Sequence, residues 1–319
     1  MRAIIIDHYG PPEVLTHAVV ADPIPAPGEV LIRVKAFGLN HAECYFGSGL
    51  WGDVARITGI EAVGVVQADP SGNLQPGARV LGLLGGMGRT RDGSYAELVT
   101  VPASNVAATD ADLAWPTLAA VPQVYATAWS ALHRNLAIQA GQRLLVRGAT
   151  SAVGQAAVQL GVMAGATVLA TTRTPARIPL LRELGAEEVL IDDGRLAPDP
   201  VDAVVDLVGN ATLRHSLRLA RAGGRVVQLG FLGGPAPVEA FNPIEDLPTG
   251  VQLSFYGSAF VLGSPSYPLD EIPFADIFRA VADGTLRADP ARVFGFDEIV
   301  EAHHIMEAGT AGGKLVVAL

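Results

Sequence analysis

Residues 143–172, RLLVRGATSAVGQAAVQLGVMAGATVLATT, read as a strand, a tight turn of small residues, a helix and a second strand. The apolar run Leu144–Val146 supplies the first strand, and Gly148 to Gly154 form the turn. Ala156, Ala157, Leu160 and Met163 give the helix an apolar stripe, and the β-branched stretch Thr167–Thr172 returns as a strand. This is the pattern of a dinucleotide-binding unit, in which a phosphate sits on the helix N-terminus. Free N–H groups and the positive end of the helix dipole favour an anion there, and small side chains let the backbone approach it. The turn departs from Gly-x-Gly-x-x-Gly, because those positions hold Ala149, Ser151 and Gly154. An ordinary βα loop without a ligand is the alternative, against which stands the context of strand before, helix after and second strand about 20 residues on.

The end of that second strand bears on which cofactor is bound. Folds that prefer NAD place an Asp or Glu there to hold the ribose 2′-hydroxyl. Here no acidic residue occurs between Gly154 and Arg182, and the chain offers Thr171, Thr172, Arg173 and Arg177. Hydroxyl and guanidinium donors suit a 2′-phosphate, so NADPH is the expected cofactor. Arg173 and Arg177 could otherwise be solvated surface charges.

Working outward, the chain has 319 residues, enough for two domains. Half of them are hydrophobic and 17% are charged, which gives ample core material and no disorder signature. The formal net charge of −10, with no basic run, argues against a nucleic-acid surface. The uncharged stretch 148–172 could span a membrane on length, but its glycines and its change of periodicity make it strand–helix–strand, so no membrane partner is expected. Asp7 interrupts the N-terminal apolar run too early for a signal peptide, and one cysteine, Cys44, permits no internal disulfide. Both fit a cytoplasmic protein. Cys44, following Glu43 in a strand-to-loop region, is expected to be a small buried or half-buried thiol.

Residues 1–120 carry β punctuation, with runs at Glu29–Phe37, Ala62–Gln67, Arg79–Leu83 and Tyr95–Val101 separated by Pro and Gly pairs. They suggest a small barrel. From about 121 strands and helices alternate, with strands at 144–148, 166–172, 188–192, 202–208, 225–230 and 251–257 and helices at 152–164, 175–184 and 211–221. Alternation of this kind predicts an α/β, doubly wound parallel sheet. The tail adds helical patterns at 270–283 and 297–308 and a terminal strand Lys314–Leu319. The Gly- and Pro-rich stretch Gly233–Gly250 reads as a long loop.

A set of ordered motifs then carries a resemblance over essentially the whole chain. They are Gly38-Leu39-Asn40-His41-Ala42-Glu43, Gly59-Ile60-Glu61-Ala62-Val63-Gly64-Val65-Val66, Gly93-Ser94-Tyr95-Ala96-Glu97, Thr127-Ala128-Trp129, the turn at 148–154, Gly223-Gly224-Arg225-Val226-Val227 and Gly313-Lys314-Leu315-Val316. With these the chain resembles the medium-chain dehydrogenase/reductase superfamily, in its zinc-free, quinone oxidoreductase-like branch that includes alkenal reductases and polyketide enoyl reductases. The resemblance implies a GroES-like β-barrel catalytic domain from 1–120 and 260–319, with a Rossmann NADP-binding domain at 121–259. It also implies a homodimer joined through strand 251–257, whose apolar edge would otherwise invite uncontrolled association.

Zinc-dependent relatives carry a Cys where this chain has Asn40 and a His where it has Ile60, and isoleucine cannot ligate, so no metal is expected. By resemblance Asn40 lies near the nicotinamide and its ribose, Thr127 near the same ring, and Tyr45 faces the substrate. Asn40 could instead be a turn former, and Tyr45 packing. A phenol, however, combines an apolar face for a quinone or enone with a proton donor. Trp51, Tyr125 and Tyr256 rank below Tyr45 as pocket-wall residues. The expected cofactor contacts are Asn40, Thr127, Ala149, Ser151, Ala152, Val153, Gly154, Thr172, Arg173, Arg177, Gly209, Gly230 and Phe231. Ser151 is expected to add a hydroxyl near the pyrophosphate, and Asp193 stands where some relatives place an aromatic. The adjacent pair His303-His304 reads as a surface or interdomain feature, since neighbouring helix positions do not share a face. His133 and His215 have no partner evident from the sequence.

The expected activity is NADPH-dependent transfer of hydride to a quinone or to the C=C of an α,β-unsaturated carbonyl. The alternatives are an enoyl-thioester reductase and a catalytically weak NADPH-binding regulatory or structural protein.

Overall fold

The computed structural model describes all residues from Met1 to Leu319. Its strands, in chain order, are β1 (Arg2–Ile6), β2 (Leu15–Val19), β3 (Glu29–Gly38), β4 (Glu61–Ala68), β5 (Arg79–Leu83), β6 (Leu98–Pro102), β7 (Val106–Ala108), β8 (Arg143–Arg147), β9 (Thr167–Thr172), β10 (Glu188–Ile191), β11 (Val201–Asp206), β12 (Ala220–Gln228), β13 (Gln252–Phe255), β14 (Arg292–Gly295) and β15 (Leu315–Ala318). The chain divides into two compact units, Met1–Gln123 with Ser258–Leu319, and Val124–Gly257.

The unit Val124–Gly257 is built on a six-stranded sheet of order β10-β9-β8-β11-β12-β13, parallel at every pairing. Counted from β8, this is the 3-2-1-4-5-6 order of dinucleotide-binding folds. The order reverses between β8 and β11, and ligands of open α/β sheets bind beyond the carboxyl ends of the strands at such a point. Leu144, Leu145, Val204 and Val205 are fully buried, as continuous apolar strands covered by helices should be. The helix Ala152–Met163 lies close to the sheet because its inner face is small; a Cβ on Gly161 would stand 2.7 Å from the Leu144 side chain.

The largest boundary difference from the sequence reading in this unit lies around residue 220. The helix of 211–221 is confined to Leu213–Leu219, and the strand expected from 225 begins at Ala220. Ala-Arg-Ala-Gly-Gly has little intrinsic strand preference, and pairing with β11, across an irregularity in register, makes it a strand. The stretch Gly233–Gly250 also contains a short helix, Pro243–Asp246, capped by the Asn242 side chain.

In the other unit a seven-stranded sheet runs β14-β15-β3-β4-β5-β7, with β6 pairing β3, beside a β1–β2 ribbon. All its pairings are antiparallel except β14–β15. The C-terminal strand β15 inserts between β14 and β3, with Val316 opposite Gly38 and Val317 opposite Phe37. That register brings Lys314 to the end of β3. Immediately after β3 the chain turns into a helix, His41–Gly47, so Cys44 is helical and buried rather than in a strand-to-loop region. The expected helix 270–283 is Phe274–Ala282, preceded by a single 3₁₀ turn at Leu269–Glu271, because Pro273 supplies no N–H and stands at its N-cap. No helix is long and apolar enough to cross a membrane.

Candidate functional site

In the parallel-sheet unit the turn after β8 is folded onto itself. The Ser151 hydroxyl caps the helix, accepting from Gly154 N at 3.2 Å and donating to Gly148 O at 2.9 Å. Its proton is therefore donated within the turn. A Cβ on Gly154 would lie 2.4 Å from Gly148 O and 2.7 Å from Ala149 Cα, so only glycine lets the helix start this close to the turn. Ala149 is buried beneath. Ala152 and Val153 open the helix, where the first N–H groups have no intrahelical acceptor, and they are the groups available to an anion.

Of the residues after β9, Thr172 also turns inward, its hydroxyl accepting from Thr174 N at 3.1 Å and donating to Thr174 O at 3.2 Å. Arg173 and Arg177 differ. Both side chains are exposed, and neither guanidinium group has an ion-pair or hydrogen-bond partner. The contrast with Arg147, at the end of β8, is sharp: it is buried and grips Asp192 with Nε at 2.6 Å and Nη2 at 2.9 Å. Burial pushes the Asp192 carboxyl up, and Arg147 more than reverses it, leaving the pKa below the usual range. His215 joins this cluster, with Nε2 2.8 Å from Leu196 O and Nδ1 3.4 Å from Arg147 Nη2, while His133 packs on the Trp129 ring.

At the end of β11 the buried Asp206 accepts from the N–H groups of Val208 (2.9 Å) and Gly209 (2.8 Å) and from the hydroxyls of Thr212 (2.9 Å) and Ser216 (2.5 Å). Gly209, at φ +91, approaches Gly230 so closely that a Cβ would lie 2.3 Å from Gly230 O. The loops after β11 and β12 thus form one rim of small residues. Next to Gly230, the Phe231 ring rests 6.0 Å from that of Phe255. Thr127 lies in the helix Pro122–Ser130 and is buried.

Asn40 and Tyr45 belong to the other unit. Asn40 is the N-cap of the helix that carries Tyr45, and its amide is held from both sides. Lys314 Nζ donates to Asn40 Oδ1 at 2.7 Å, to Leu39 O at 2.9 Å and to Glu61 Oε1 at 2.6 Å. Asn40 Nδ2 in turn donates to Glu61 Oε1 at 3.0 Å, with Glu43 Oε1 and Gly38 O at 3.3 Å. Glu61 Oε2 accepts from Gln123 N at 2.9 Å, Glu43 Oε1 accepts from Ile60 N at 3.1 Å, and the Asn40 N–H donates to Glu43 Oε2. A Cβ at Gly38 would stand 2.3 Å from Lys314 Cε, so a larger residue there would have to displace the lysine from its partners. Lys314, Glu61 and Glu43 all lie within the ordered motifs, yet the local sequence assigns no role to Lys314 or Glu43. The available signal was a lysine placed between glycine and an apolar strand, where an unpaired charge is costly to bury.

Glu43 is fully buried, and its pKa is raised to about 7 by desolvation, offset in part by Lys314. A carboxyl that holds its proton more tightly when folded binds more protons in the native state. Stability from this group therefore falls as pH rises from the ordinary carboxylate range to about 7, then levels. Glu43→Gln should flatten that segment of the urea-midpoint profile. An unaltered pH slope in the variant would show that other groups produce it.

Tyr45 is half-buried, and burial followed by the neighbouring Cys44 raises its pKa, so the phenol keeps its proton at neutral pH. Its ring stacks with His41 (6.4 Å between centroids, 16° between planes) and with Trp51 (6.4 Å, 14°). His303 and His304 part company, so they do not form one surface or interdomain feature. His303 is buried, with Nε2 2.9 Å from the Tyr95 hydroxyl oxygen, and burial pushes its pKa down to about 4; His304 is exposed and pairs with Glu13 at 2.8 Å. Desolvation pushes the Cys44 thiol up, away from thiolate chemistry. Tyr125 and Tyr256 are buried within the core. No group of three or more His, Cys, Asp or Glu side chains is arranged to hold a metal ion.

Two family profiles match the chain, Alcohol dehydrogenase GroES-like domain over residues 26–111 and Zinc-binding dehydrogenase over residues 184–317. The quinone oxidoreductase of Lama guanicoe is 29% identical over 100% of this chain and 98% of its own length. Polyketide synthase GfsB of Streptomyces halstedii is 31% identical over 92% of this chain, which spans only 5% of that much longer protein. Among solved structures, a mycobacterial protein in complex with NADPH superposes with a TM-score of 0.86 at 26% identity, covering 100% of both chains.

Proposed function

The chain belongs to the medium-chain dehydrogenase/reductase superfamily, and on that footing we propose that it is an NADPH-dependent, zinc-independent oxidoreductase. Its acceptor is a quinone or the C=C bond of an α,β-unsaturated carbonyl compound. The observation that carries this reading is the pair of exposed, unpartnered guanidinium groups, Arg173 and Arg177, beyond a second Rossmann strand with no acidic residue at its end. They suit a 2′-phosphate, and the mycobacterial neighbour's NADPH supports the same cofactor.

The fit extends to the turn. Ala152 and Val153 N–H groups would take the pyrophosphate over the bare Gly154, with Ala149 and Ser151 shaping the turn below. Thr172 shapes the loop that carries the two arginines, and Gly209, Gly230 and Phe231 supply the rim. Thr127 and Asn40 complete the cofactor contacts. Because Asn40 Nδ2 is spent on carboxylates and Lys314 fixes its Oδ1, what it can offer is the remaining Oδ1 lone pair, an acceptor suited to a ribose hydroxyl.

When bound, the nicotinamide supplies hydride. The acceptor needs one proton besides, to become a hydroquinone or a saturated carbonyl compound. Our candidate for that role is Tyr45, whose phenol is protonated at neutral pH and would regain its proton from solvent. Zinc independence rests on Asn40 and Ile60, and on the Lys314 ammonium that already occupies Glu61. The exposed Leu253 and Phe255 on the edge strand β13 favour pairing of that edge in a homodimer.

A second reading, an enoyl-thioester reductase, is favoured by the similarity to a segment of the polyketide synthase. Stopped-flow oxidation of NADPH by a panel of quinones, open-chain enones and an enoyl-CoA separates the two. Quinone or enone reduction is expected, with Tyr45→Phe lowering kcat about tenfold or more, the weak edge of general-acid effects because water substitutes in part. Full kcat and KM in that variant would reduce Tyr45 to packing. Turnover confined to the enoyl-CoA would establish the second reading, and none with any acceptor would leave a protein that only holds NADPH.

A further inference from the structure

We propose that Arg147 is a positioning residue for cofactor choice: by gripping the Asp192 carboxylate it keeps Arg173 and Arg177 free for a 2′-phosphate, and so sets the preference for NADPH over NADH. The inference rests on the NADPH reading above and adds a residue that acts through the two arginines rather than on the cofactor itself. The strand β9 ends without an acid of its own, yet β10 brings one beside it. Ile191 lies opposite Thr172 in the β9–β10 ladder, and the next residue, Asp192, donates its N–H to Thr172 O at 2.9 Å. An acid therefore stands against the residue that precedes Arg173. A carboxylate at the end of a second Rossmann strand suits a ribose 2′-hydroxyl, and it repels a phosphate there.

Arg147, at the end of β8, engages that acid with a side chain only 1% exposed, while Asp192 is 10% exposed. A guanidinium has five N–H groups, and here each has an acceptor. Nε and one N–H of Nη2 form the two-pronged bond to Asp192, and the other faces His215 Nδ1 at 3.4 Å. Nη1 donates to Ser216 Oγ at 3.1 Å and reaches Thr212 O at 3.4 Å. Since a guanidinium can only donate, His215 Nδ1 is the acceptor, which leaves Nε2 to donate to Leu196 O at 2.8 Å. Ser216 in turn gives its proton to Asp206 Oδ2. Arg147 thus stands between two carboxylates, Asp192 directly and Asp206 through Ser216, and its planar fork is fixed on both flanks. The Asp192 carboxylate is held further by Gly194 N, which donates to Oδ1 at 3.2 Å. All these residues belong to one unit.

The charges decide what this grip does. Arg147 and Asp192 together carry no net charge, so the pair exerts little field on an anion bound near Thr172. Without Arg147 a bare carboxylate remains there, and both ways of satisfying it act against NADPH. It pairs with Arg173 or Arg177 in place of the 2′-phosphate, or it stays unpaired and repels that phosphate. NADH has only a hydroxyl at that position, which a carboxylate can accept from. Removing the charge of Asp192 as well restores neutrality and frees both arginines again. An arginine with a merely structural role would weaken the two cofactors alike when lost.

The test compares the unmodified protein with Arg147→Met, Asp192→Asn and the double variant, by calorimetric titration with NADPH and with NADH and by thermal melting to confirm folding. Arg147→Met is expected to weaken NADPH binding about fivefold to tenfold and NADH binding at most about twofold. The double variant should return the preference for NADPH to within about twofold of the unmodified protein's. Asp192→Asn alone leaves an uncompensated cation near the phosphate and should raise the preference about twofold to threefold, an outcome that can be read even if Arg147→Met does not fold. Equal weakening of both cofactors in Arg147→Met, a double variant no better than the single one, or a preference that Asp192→Asn leaves unchanged would each overturn this role for Arg147 and leave the NADPH reading standing. Equal affinities in the unmodified protein would overturn that reading, and this inference with it.

Discussion

Replacing Lys314 with alanine is expected to lower the free energy of unfolding by about 3–5 kcal/mol, the usual cost of stripping one partner from a buried ion pair. Lys314 is 6% exposed and Glu61 1%, so neither charge can be rehydrated without opening the sheet. The ammonium makes three short contacts, to Leu39 O, Asn40 Oδ1 and Glu61 Oε1, and each acceptor would lose it at once. Replacing both members, Lys314→Met with Glu61→Leu, should recover part of the loss, since no charge is then left unpaired. Recovery should stay incomplete because Gln123 N and Asn40 Nδ2 lose their acceptor. Urea denaturation of the three proteins measures this. A loss below about 1 kcal/mol in Lys314→Ala would mean that water reaches Glu61 and that the pair is not a structural pin.

Removing both free guanidinium groups, Arg173→Ala with Arg177→Ala, is expected to weaken NADPH binding about a hundredfold and to leave NADH binding nearly unchanged. A hydrogen bond to a charged group contributes about 1.5–3 kcal/mol, and about 1.4 kcal/mol is a factor of ten, so each arginine accounts for about tenfold. Because both side chains are exposed, the effect should shrink as salt is raised. The unmodified protein should bind NADPH at least about tenfold tighter than NADH, and Arg173→Ala alone should narrow that gap. Equal affinities for the two cofactors in the unmodified protein would remove the basis for the assignment. Calorimetric titration at low and high salt, with both cofactors and both proteins, reads all of this.

The dinucleotide-binding unit was legible residue by residue. Its strand, turn and helix are set by side-chain periodicity over ten or so positions, and the missing acid after β9 is a fact about one short segment. Local sequence does not reveal how the Ser151 and Thr172 hydroxyls are bonded within their own turns. Both hydroxyls found nearer partners in their own turns, Gly148 O and Thr174 O, since a side chain that can bond locally does so before any ligand arrives.

The site around Asn40 was legible only as a place. The sequence marked Asn40 and Tyr45 by their position in ordered motifs, but it held no sign that Lys314 would stand 253 residues from Glu61 in the chain and 2.6 Å from it in space. Nor did it join Arg147 to Asp192, or separate buried His303 from exposed His304.

The sequence by itself therefore determined the alternation of elements, the small-residue turn and the absence of an acidic residue after the second strand, because each depends on the identity of residues close together in the chain. Tertiary structure alone decided which polar groups pair and which rings align. Insertion of β15 between β14 and β3 carries an ammonium to the end of β3, and burial there forces it to find carboxylate and amide partners from distant segments.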